Sequence, residues 1–368
     1  MKNKTKNVVL TVVLALFIVV FSVWCVAGAE DEYSESERRV LASFPEITKD
    51  SILSGEFMAD FEAYTLDQFP LRDIFRSIKA VSEKFVFAKK DNNDIYTAQG
   101  HISKLEYPLN YHMLDNSADK FSFIYEKYID GKNSDVYFSV IPDKNYFLAE
   151  KNGYIALDYD ELVSYMKEKT SYMTYVDIFP MLSIDDYYNT DTHWKQENIT
   201  DIAGHIGSSM GADVKTEYTV NTLDNPFYGV YYGQAALPFA SDTIKYLTND
   251  VLDSCVVTSY DTGKPVEKYI YDMEEAFGKD PYEMFTSGSD ALITIENPLA
   301  ETERELVMFR DSFGSSLAPL LVQGYSKITL ADIRYINPAM LGAFIDFENC
   351  DVLFIYSTML LNNSMAFK

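Results

Sequence analysis

The stretch Glu305-Leu306-Val307-Met308-Phe309-Arg310-Asp311-Ser312-Phe313-Gly314-Ser315-Ser316-Leu317-Ala318-Pro319-Leu320-Leu321 decides the fold. An apolar run of strand length stops at Phe309, and an apolar pattern with helical spacing resumes at Leu317. Between them lies the polar turn from Arg310 to Ser316. A buried strand that feeds a helix puts such a turn in a crevice at the carboxyl edge of a sheet, next to a positive helix end. Ser312 is therefore the candidate nucleophile.

Towards the C-terminus, strand 328–331, helix 338–347 and strand 352–356 continue a β-α-β-α-β series. Asn337 followed by Pro338 is a helix-start signal. Right-handed crossovers align the carboxyl ends of these strands along one edge, where Ser312, Arg334 and Tyr335 would meet. Upstream, the turn signal Asp91-Asn92-Asn93-Asp94 opens the main domain. Helix 117–129, apolar run 136–141 ending in Pro142-Asp143-Lys144, helix 161–169, run 174–178 and helix 194–210 then alternate. That rhythm predicts an α/β sandwich with a largely parallel sheet. Residues 211–289 break it. Rich in Tyr, Gly, Asp and Pro, they read as an insertion that either forms a lid or sugar-stacking groove or fills its own small core.

At the N-terminus, Lys2, Lys4 and Lys6 precede an uncharged apolar run from about Val8 to Ala27, long enough to span a bilayer. The basic flank stays cytoplasmic, and Glu30, Asp31, Glu32, Glu35 and Glu37 follow on the outer side. Cleavage at Ala27-Gly28-Ala29 is the rival to a retained anchor. Next, Phe57, Phe61 and Tyr64, then Ile74, Ile78, Val81 and Phe85, have helical spacing, interrupted by Pro70. Packing on its own domain is the ordinary fate of such a face; contact with lipid or a partner is the alternative.

With 368 residues, 47% of them hydrophobic, the chain can bury a large core. Its formal net charge of −25 works against nucleic-acid binding, which needs clustered Lys and Arg. Cys25 lies in the apolar run, and Cys255 and Cys350 are either a pair or two free thiols.

Serine acyl transfer needs a base, an acid to orient it and donors for an oxyanion. Asp191-Thr192-His193-Trp194 supplies the first two, since residues two apart in an extended segment project to one side. The N–H groups of Ser312 and Phe313 are candidate oxyanion donors. Alternatively, Asp191 or Thr192 merely caps the helix at 194–210. His101, His112 and His205 have no acid two residues before them, and the spacings offer too few ligands for zinc.

Asp191-Thr192-His193-Trp194 together with Phe309-Arg310-Asp311-Ser312-Phe313-Gly314 resembles the DHHW protein family and the related alginate O-acetyltransferases. Glu37-Arg38-Arg39, Asp67-Gln68-Phe69-Pro70-Leu71-Arg72-Asp73, Ile141-Pro142-Asp143-Lys144 and Asp332-Ile333-Arg334-Tyr335 extend the resemblance from about Glu35 to the C-terminus. It implies an SGNH-hydrolase-like fold: a three-layer α/β sandwich with a mostly parallel sheet, here with an N-terminal transmembrane helix and a Tyr-rich insertion. The chain then divides into a flank and anchor (1–29), a juxtamembrane linker with helices (30–90) and a catalytic domain (91–368).

The resemblance implies a catalytic triad of Asp191, His193 and Ser312. Phe313, Arg334 and Tyr335 are candidate oxyanion or substrate contacts, a salt bridge being the plain alternative for Arg334. The activity implied is that of a membrane-anchored extracellular O-acetyltransferase, with no cofactor in this chain. A membrane-bound O-acyltransferase would supply acetyl, and a cell-surface polysaccharide hydroxyl would receive it. A carbohydrate esterase with the same triad and a non-catalytic scaffold or glycan-binding subunit are the alternatives. Two departures stand out: Thr192 where the family name has a second His, and Arg310 where SGNH hydrolases usually have glycine.

Overall fold

The computed structural model describes residues 2–34 and 36–368; Met1 and Glu35, counted above in the N-terminal flank and the acidic segment, lie outside the described residues. The chain divides into two compact units, Met1–Asn93 with Tyr232–Pro238, and Asp94–Tyr231 with Phe239–Lys368.

In the first unit the apolar run forms helix α1 (Lys2–Ala27), of which Lys4–Cys25 is long and apolar enough to cross a membrane. Helices α2 (Glu56–Asp67) and α3 (Arg72–Val81) are separate, because proline at position 70 cannot continue a helix. Leu71 at the break adopts a left-handed φ of 60°. The stretches around Arg39 and Asp67 are joined by ion pairs. Arg39 Nη2 lies 2.5 Å from Asp67 Oδ1, and Arg72 and Arg76 both reach Glu37, the latter at 2.9 Å. The first half of the apolar row packs on its own unit, with Tyr64 buried and Phe57 and Phe61 half-buried, and the second half does not. Ile74, Ile78 and Phe85 are 55%, 56% and 69% exposed, while Ala80 is buried.

The second unit is built on an eight-stranded sheet. Its strands are β1 (Asp135–Ile141), β2 (Thr174–Tyr175), β3 (Val256–Ser259), β4 (Val266–Lys268), β5 (Leu292–Glu296), β6 (Glu305–Arg310), β7 (Lys327–Ala331) and β8 (Cys350–Ser357), in the order β4-β3-β5-β7-β6-β8-β1-β2. From β7 to β2 all neighbours are parallel. At the other edge β5, β3 and β4 add antiparallel strands, two of them from the insertion. The crossover from β6 runs to β7, away from β1, so the chain changes direction across β6 and β8. A crevice at the carboxyl ends of the strands is expected there.

Alternate residues of the sheet enter two apolar layers, as period-two geometry requires. Leu353 and Ile355 of β8 join Met308, Leu317 and Leu321 in one; Val352, Phe354 and Tyr356 join Phe121, Leu162 and Phe309 in the other. Helices α4 (Tyr111–Ile124) and α5 (Tyr159–Lys169) cover the second layer, and α6 (Thr200–Ser209) and α7 (Phe313–Leu321) cover the first. The result is the three-layer sandwich.

Two expected helices differ. The one at 194–210 starts only at Thr200, because Trp194 is bridged antiparallel to Tyr187 and 196–198 form a tight turn. The one at 338–347 is a short tight helix, Pro338–Ala343, although Asn337 does accept from the Ala339 N–H as its cap. Cys255 and Cys350 are both free thiols.

Leu353 is fully buried on the central β8 and Val266 is 41% exposed on the edge strand β4. Leu353→Ala is expected to cost about 3 kcal/mol through the cavity it leaves. Val266→Ala should cost less than about 0.5 kcal/mol. Denaturant unfolding of both variants checks the sandwich; equal losses would contradict it.

Candidate active site

Ser312 follows β6 directly and sits at the N-cap position of α7. Asp311 fixes this turn: its Oδ1 accepts the Phe313 N–H at 3.1 Å and its Oδ2 accepts the Ser357 N–H at 2.8 Å. One carboxylate thus ties the turn to the end of β8. Half-buried, Ser312 has its Oγ 2.7 Å from His193 Nε2, and His193 Nδ1 is 2.6 Å from Asp191 Oδ1. With Nδ1–H donating to the carboxylate, Nε2 is left to accept the serine proton.

The acid and base converge through a curled loop and not an extended segment. Tyr188 N donates to His193 O at 3.0 Å, so residues 188–193 fold back on themselves. Asp191 Oδ1 also accepts the His193 N–H at 3.0 Å, and its Oδ2 accepts the Val230 N–H at 2.8 Å. Capping of the following helix is excluded as the role of Asp191, since that helix begins at Thr200.

The loop is held from three sides. Lys144, from the end of β1, is buried and donates from Nζ to the carbonyls of Tyr188 (2.9 Å), Asn189 (3.1 Å) and Asp191 (2.9 Å). Burial pushes this ammonium down to about 7, against the opposing pull of Asp191 and Asp242. Asp242 accepts from Asn189 N and from the N–H and hydroxyl of Thr190. Gly229 lies against Asp191, and a Cβ there would fall 2.3 Å from the aspartate Cβ. Tyr282 of the insertion stacks flat on the imidazole, with centroids 3.9 Å apart at 8°, and shares a 2.8 Å hydrogen bond with Ser316.

The tentative contacts fall out differently. The Phe313 N–H is taken by Asp311, so it is not a free oxyanion donor; among the described residues the Ser312 N–H has no such partner. Arg334 forms a two-pronged ion pair with Asp332, at 2.9 Å from Nε and 2.6 Å from Nη2. Tyr335 is exposed and lies beside the Arg334 guanidinium, making no hydrogen bond to Ser312 or His193 among the described residues. Lys144, Asp242, Gly229 and Tyr282 were not singled out by sequence reasoning. For the lysine the available signals were the place of Pro142-Asp143-Lys144 at a strand end and its membership of the resembling stretch Ile141-Pro142-Asp143-Lys144. Among the described residues, no group of three or more His, Cys, Asp or Glu side chains could hold a metal ion.

Fold and crevice together define a three-layer α/β sandwich built on a mixed eight-stranded sheet. A DHHW family protein from Eubacterium siraeum DSM 15702 is similar to this chain with a TM-score of 0.61 and 22% identity, covering 75% of this chain and 95% of its own. Bacillus cereus PatB1 with a sulfonyl adduct aligns at 0.58 and 20%, over 74% and 97%. PatB1 in a second structure aligns at 0.53 and 18%, over 73% and 97%. What is shared at these identities is the fold, and the neighbours are of the kind the sequence resemblance names. No family model and no curated protein matches the sequence.

Two outcomes follow. Ala at position 229 should displace the Asp191 carboxylate, and Gly229→Ala is expected to lose about 2 kcal/mol or more of stability by overpacking, read by thermal unfolding; an unchanged transition would refute the close contact. The second concerns pH. Lys144 has a folded pKa near 7 against an ordinary 10.5, so between these values the unfolded chain binds the extra proton and stability rises with pH. Wild type should therefore gain stability relative to Lys144→Met from about pH 7 towards pH 10. A difference independent of pH in denaturant titrations would contradict this.

Proposed function

We propose that this protein is a serine-dependent O-acyltransferase in which Ser312 is the nucleophile, His193 the base and then the acid, and Asp191 the group that orients His193. The observation that carries the reading is the pair of contacts on one imidazole, 2.7 Å to Ser312 Oγ and 2.6 Å to Asp191 Oδ1. His193 Nε2 takes the Oγ proton while Oγ bonds to the carbonyl carbon of an acyl donor. The tetrahedral oxyanion collapses, the donor oxygen leaves with the proton from Nε2, and an acyl-serine remains. An acceptor hydroxyl then gives its proton to Nε2, attacks the same carbon and releases Ser312. The Ser312 N–H and the positive end of α7 face the developing charge.

By resemblance, acetyl is the acyl group, a membrane-bound O-acyltransferase its source and a cell-surface polysaccharide hydroxyl its acceptor. The apolar α1 supports a chain anchored in the membrane, with the sandwich on the outer side. Retention of α1 is supported by the stacking of Phe21 on Phe69 at 5.4 Å, a contact that cleavage after residue 29 would remove.

PatB1 has been solved with a sulfonyl adduct, which suggests the test. The full-length protein in detergent is treated with methanesulfonyl fluoride or an activated acetyl ester, and the modified peptide is found by mass spectrometry. Modification of Ser312 is expected, absent in Ser312→Ala and slowed roughly 10²- to 10⁴-fold in Asp191→Asn and His193→Ala. Equal labelling of wild type and Ser312→Ala would overturn the proposal. Adding an oligosaccharide acceptor then separates transfer, which yields an acetylated sugar, from hydrolysis, which yields acetate.

A further inference from the structure

The juxtamembrane unit carries an apolar surface that its own fold leaves uncovered. Ile74, Ile78, Val81 and Phe85 follow at steps of four, three and four, so they form one stripe along α3 and the turn after it. They are 55%, 56%, 37% and 69% exposed, and Val86 and Phe87 extend the stripe at 72% and 67%. The opposite side of α3 holds the buried Ala80 and the half-buried Arg72 and Arg76.

The position of this stripe relative to α1 identifies what covers it. The apolar run from Val8 to Ala27 has twenty residues, about 30 Å at 1.5 Å per residue, which matches the hydrocarbon core with nothing to spare. Phe21 lies six residues before Ala27, and therefore about 9 Å beneath the outer boundary. Its ring centroid is 5.4 Å from that of Phe69 and 5.8 Å from that of Phe75, at the break before α3 and in its first turn. When α1 spans the bilayer, the start of α3 is brought to the depth of the headgroup and acyl-chain boundary.

We propose that α3 and the turn following it lie in the outer membrane interface, with Ile74, Ile78, Phe85, Val86 and Phe87 in contact with lipid. A surface helix of this kind sinks about 5–10 Å, in keeping with the depth set by Phe21. The charges nearby suit such a site: three guanidinium groups, Arg39, Arg72 and Arg76, are paired with three carboxylates, Glu37, Asp67 and Asp73. Ion pairs of balanced charge are what a low-dielectric boundary tolerates. The inference rests on the anchoring role of α1, and goes beyond it by fixing the height and orientation of the segment that leads to the catalytic unit.

The test uses the full-length protein in phosphatidylcholine vesicles containing lipids brominated in the acyl chains, which quench nearby indoles. Wild type reports on Trp24 within α1, read against Trp194→Phe to remove the buried second indole; Ile78→Trp adds an indole on the stripe, and Asp160→Trp adds one on the exposed face of α5 as control. Because positions 78 and 160 are exposed, neither variant threatens the fold. The added signal at position 78 is expected to be quenched several-fold more than that at position 160 and to be shielded from aqueous acrylamide. If Trp24 is quenched while position 78 stays open to acrylamide, the anchor stands and the proposal falls. Shielding at position 78 from both quenchers would mean that protein covers the stripe, which also overturns it. Absence of Trp24 quenching would remove the anchor itself, and the proposal with it.

Discussion

His193 and Asp191 sit here on a loop closed by the antiparallel bridge between Tyr187 and Trp194, and the buried Nζ of Lys144 holds its middle. Three carbonyls, those of Tyr188, Asn189 and Asp191, converge on one Nζ. Asn189 O also accepts the Ile102 N–H at 2.8 Å. Together the three carbonyls form a cup around one Nζ, which the planar fork of arginine would fill poorly. Lys144 comes from the end of β1, so the acid and base inherit the position of the sheet. Asp143 beside it accepts from the Thr358 hydroxyl at 2.8 Å and from Tyr159 at 2.9 Å, linking β1, β8 and α5.

The nucleophile side is governed by α7, and both the histidine loop and the insertion are registered on it. Pro319 lacks an N–H, so the carbonyl of Ser315 four residues earlier has no helical partner. The hydroxyl of Thr286 fills that gap at 3.1 Å, and the Ser315 hydroxyl returns a bond to Gly288 O at 3.2 Å. Trp194 Nε1 donates to Ser316 Oγ at 2.9 Å, Gln196 Nε2 to Ser316 O at 2.9 Å, and Tyr282 shares the same hydroxyl. The imidazole and the tyrosine stacked on it are therefore both measured from one turn of α7, immediately after Ser312. Thr286, Ser287 and Gly288 all take left-handed φ values. For a β-branched threonine this is an unfavourable conformation, retained here by the bonds that its hydroxyl and its neighbours make to α7.

The parallel half of the sandwich was legible because each strand there is a solid apolar run followed by a turn and a helix, the pattern of a strand buried on both faces. The antiparallel half was not. Val256 to Ser259 and Val266 to Lys268 are short, partly exposed and interspersed with polar residues, so their period gives no signal; pairing with β5 makes them strands. Asp191, His193 and Ser312 could be named because acyl chemistry restricts the residue types and the spacing of acid and base is short. Their supports could not, since Lys144, Asp242 and Gly229 act through backbone atoms or through empty space. Of the insertion's two readings, the small core is what the structure contains: Leu223, Phe227, Ile244 and Phe285 fill it, and Tyr282 of that same core is buried against the imidazole.

Arg310 shows how a large cation is accommodated at a crowded turn: it is completely buried, with Nη1 3.6 Å from Asp332. Burial pushes its pKa down, and the Asp332 charge opposes that shift. The space it needs is provided four residues later: a Cβ on Gly314 would lie 2.5 Å from the Arg310 Cβ, so the first turn of α7 requires glycine there. Asp332 in turn is shared with Arg334 at 2.6 Å, and a carboxylate facing two guanidinium groups is stabilised in a way that one alone would not achieve once desolvated. This is the physical reason that Arg334 belongs to the scaffold beneath the nucleophile turn. Its planar fork is already occupied by both oxygens of Asp332, so its charge is committed to that carboxylate.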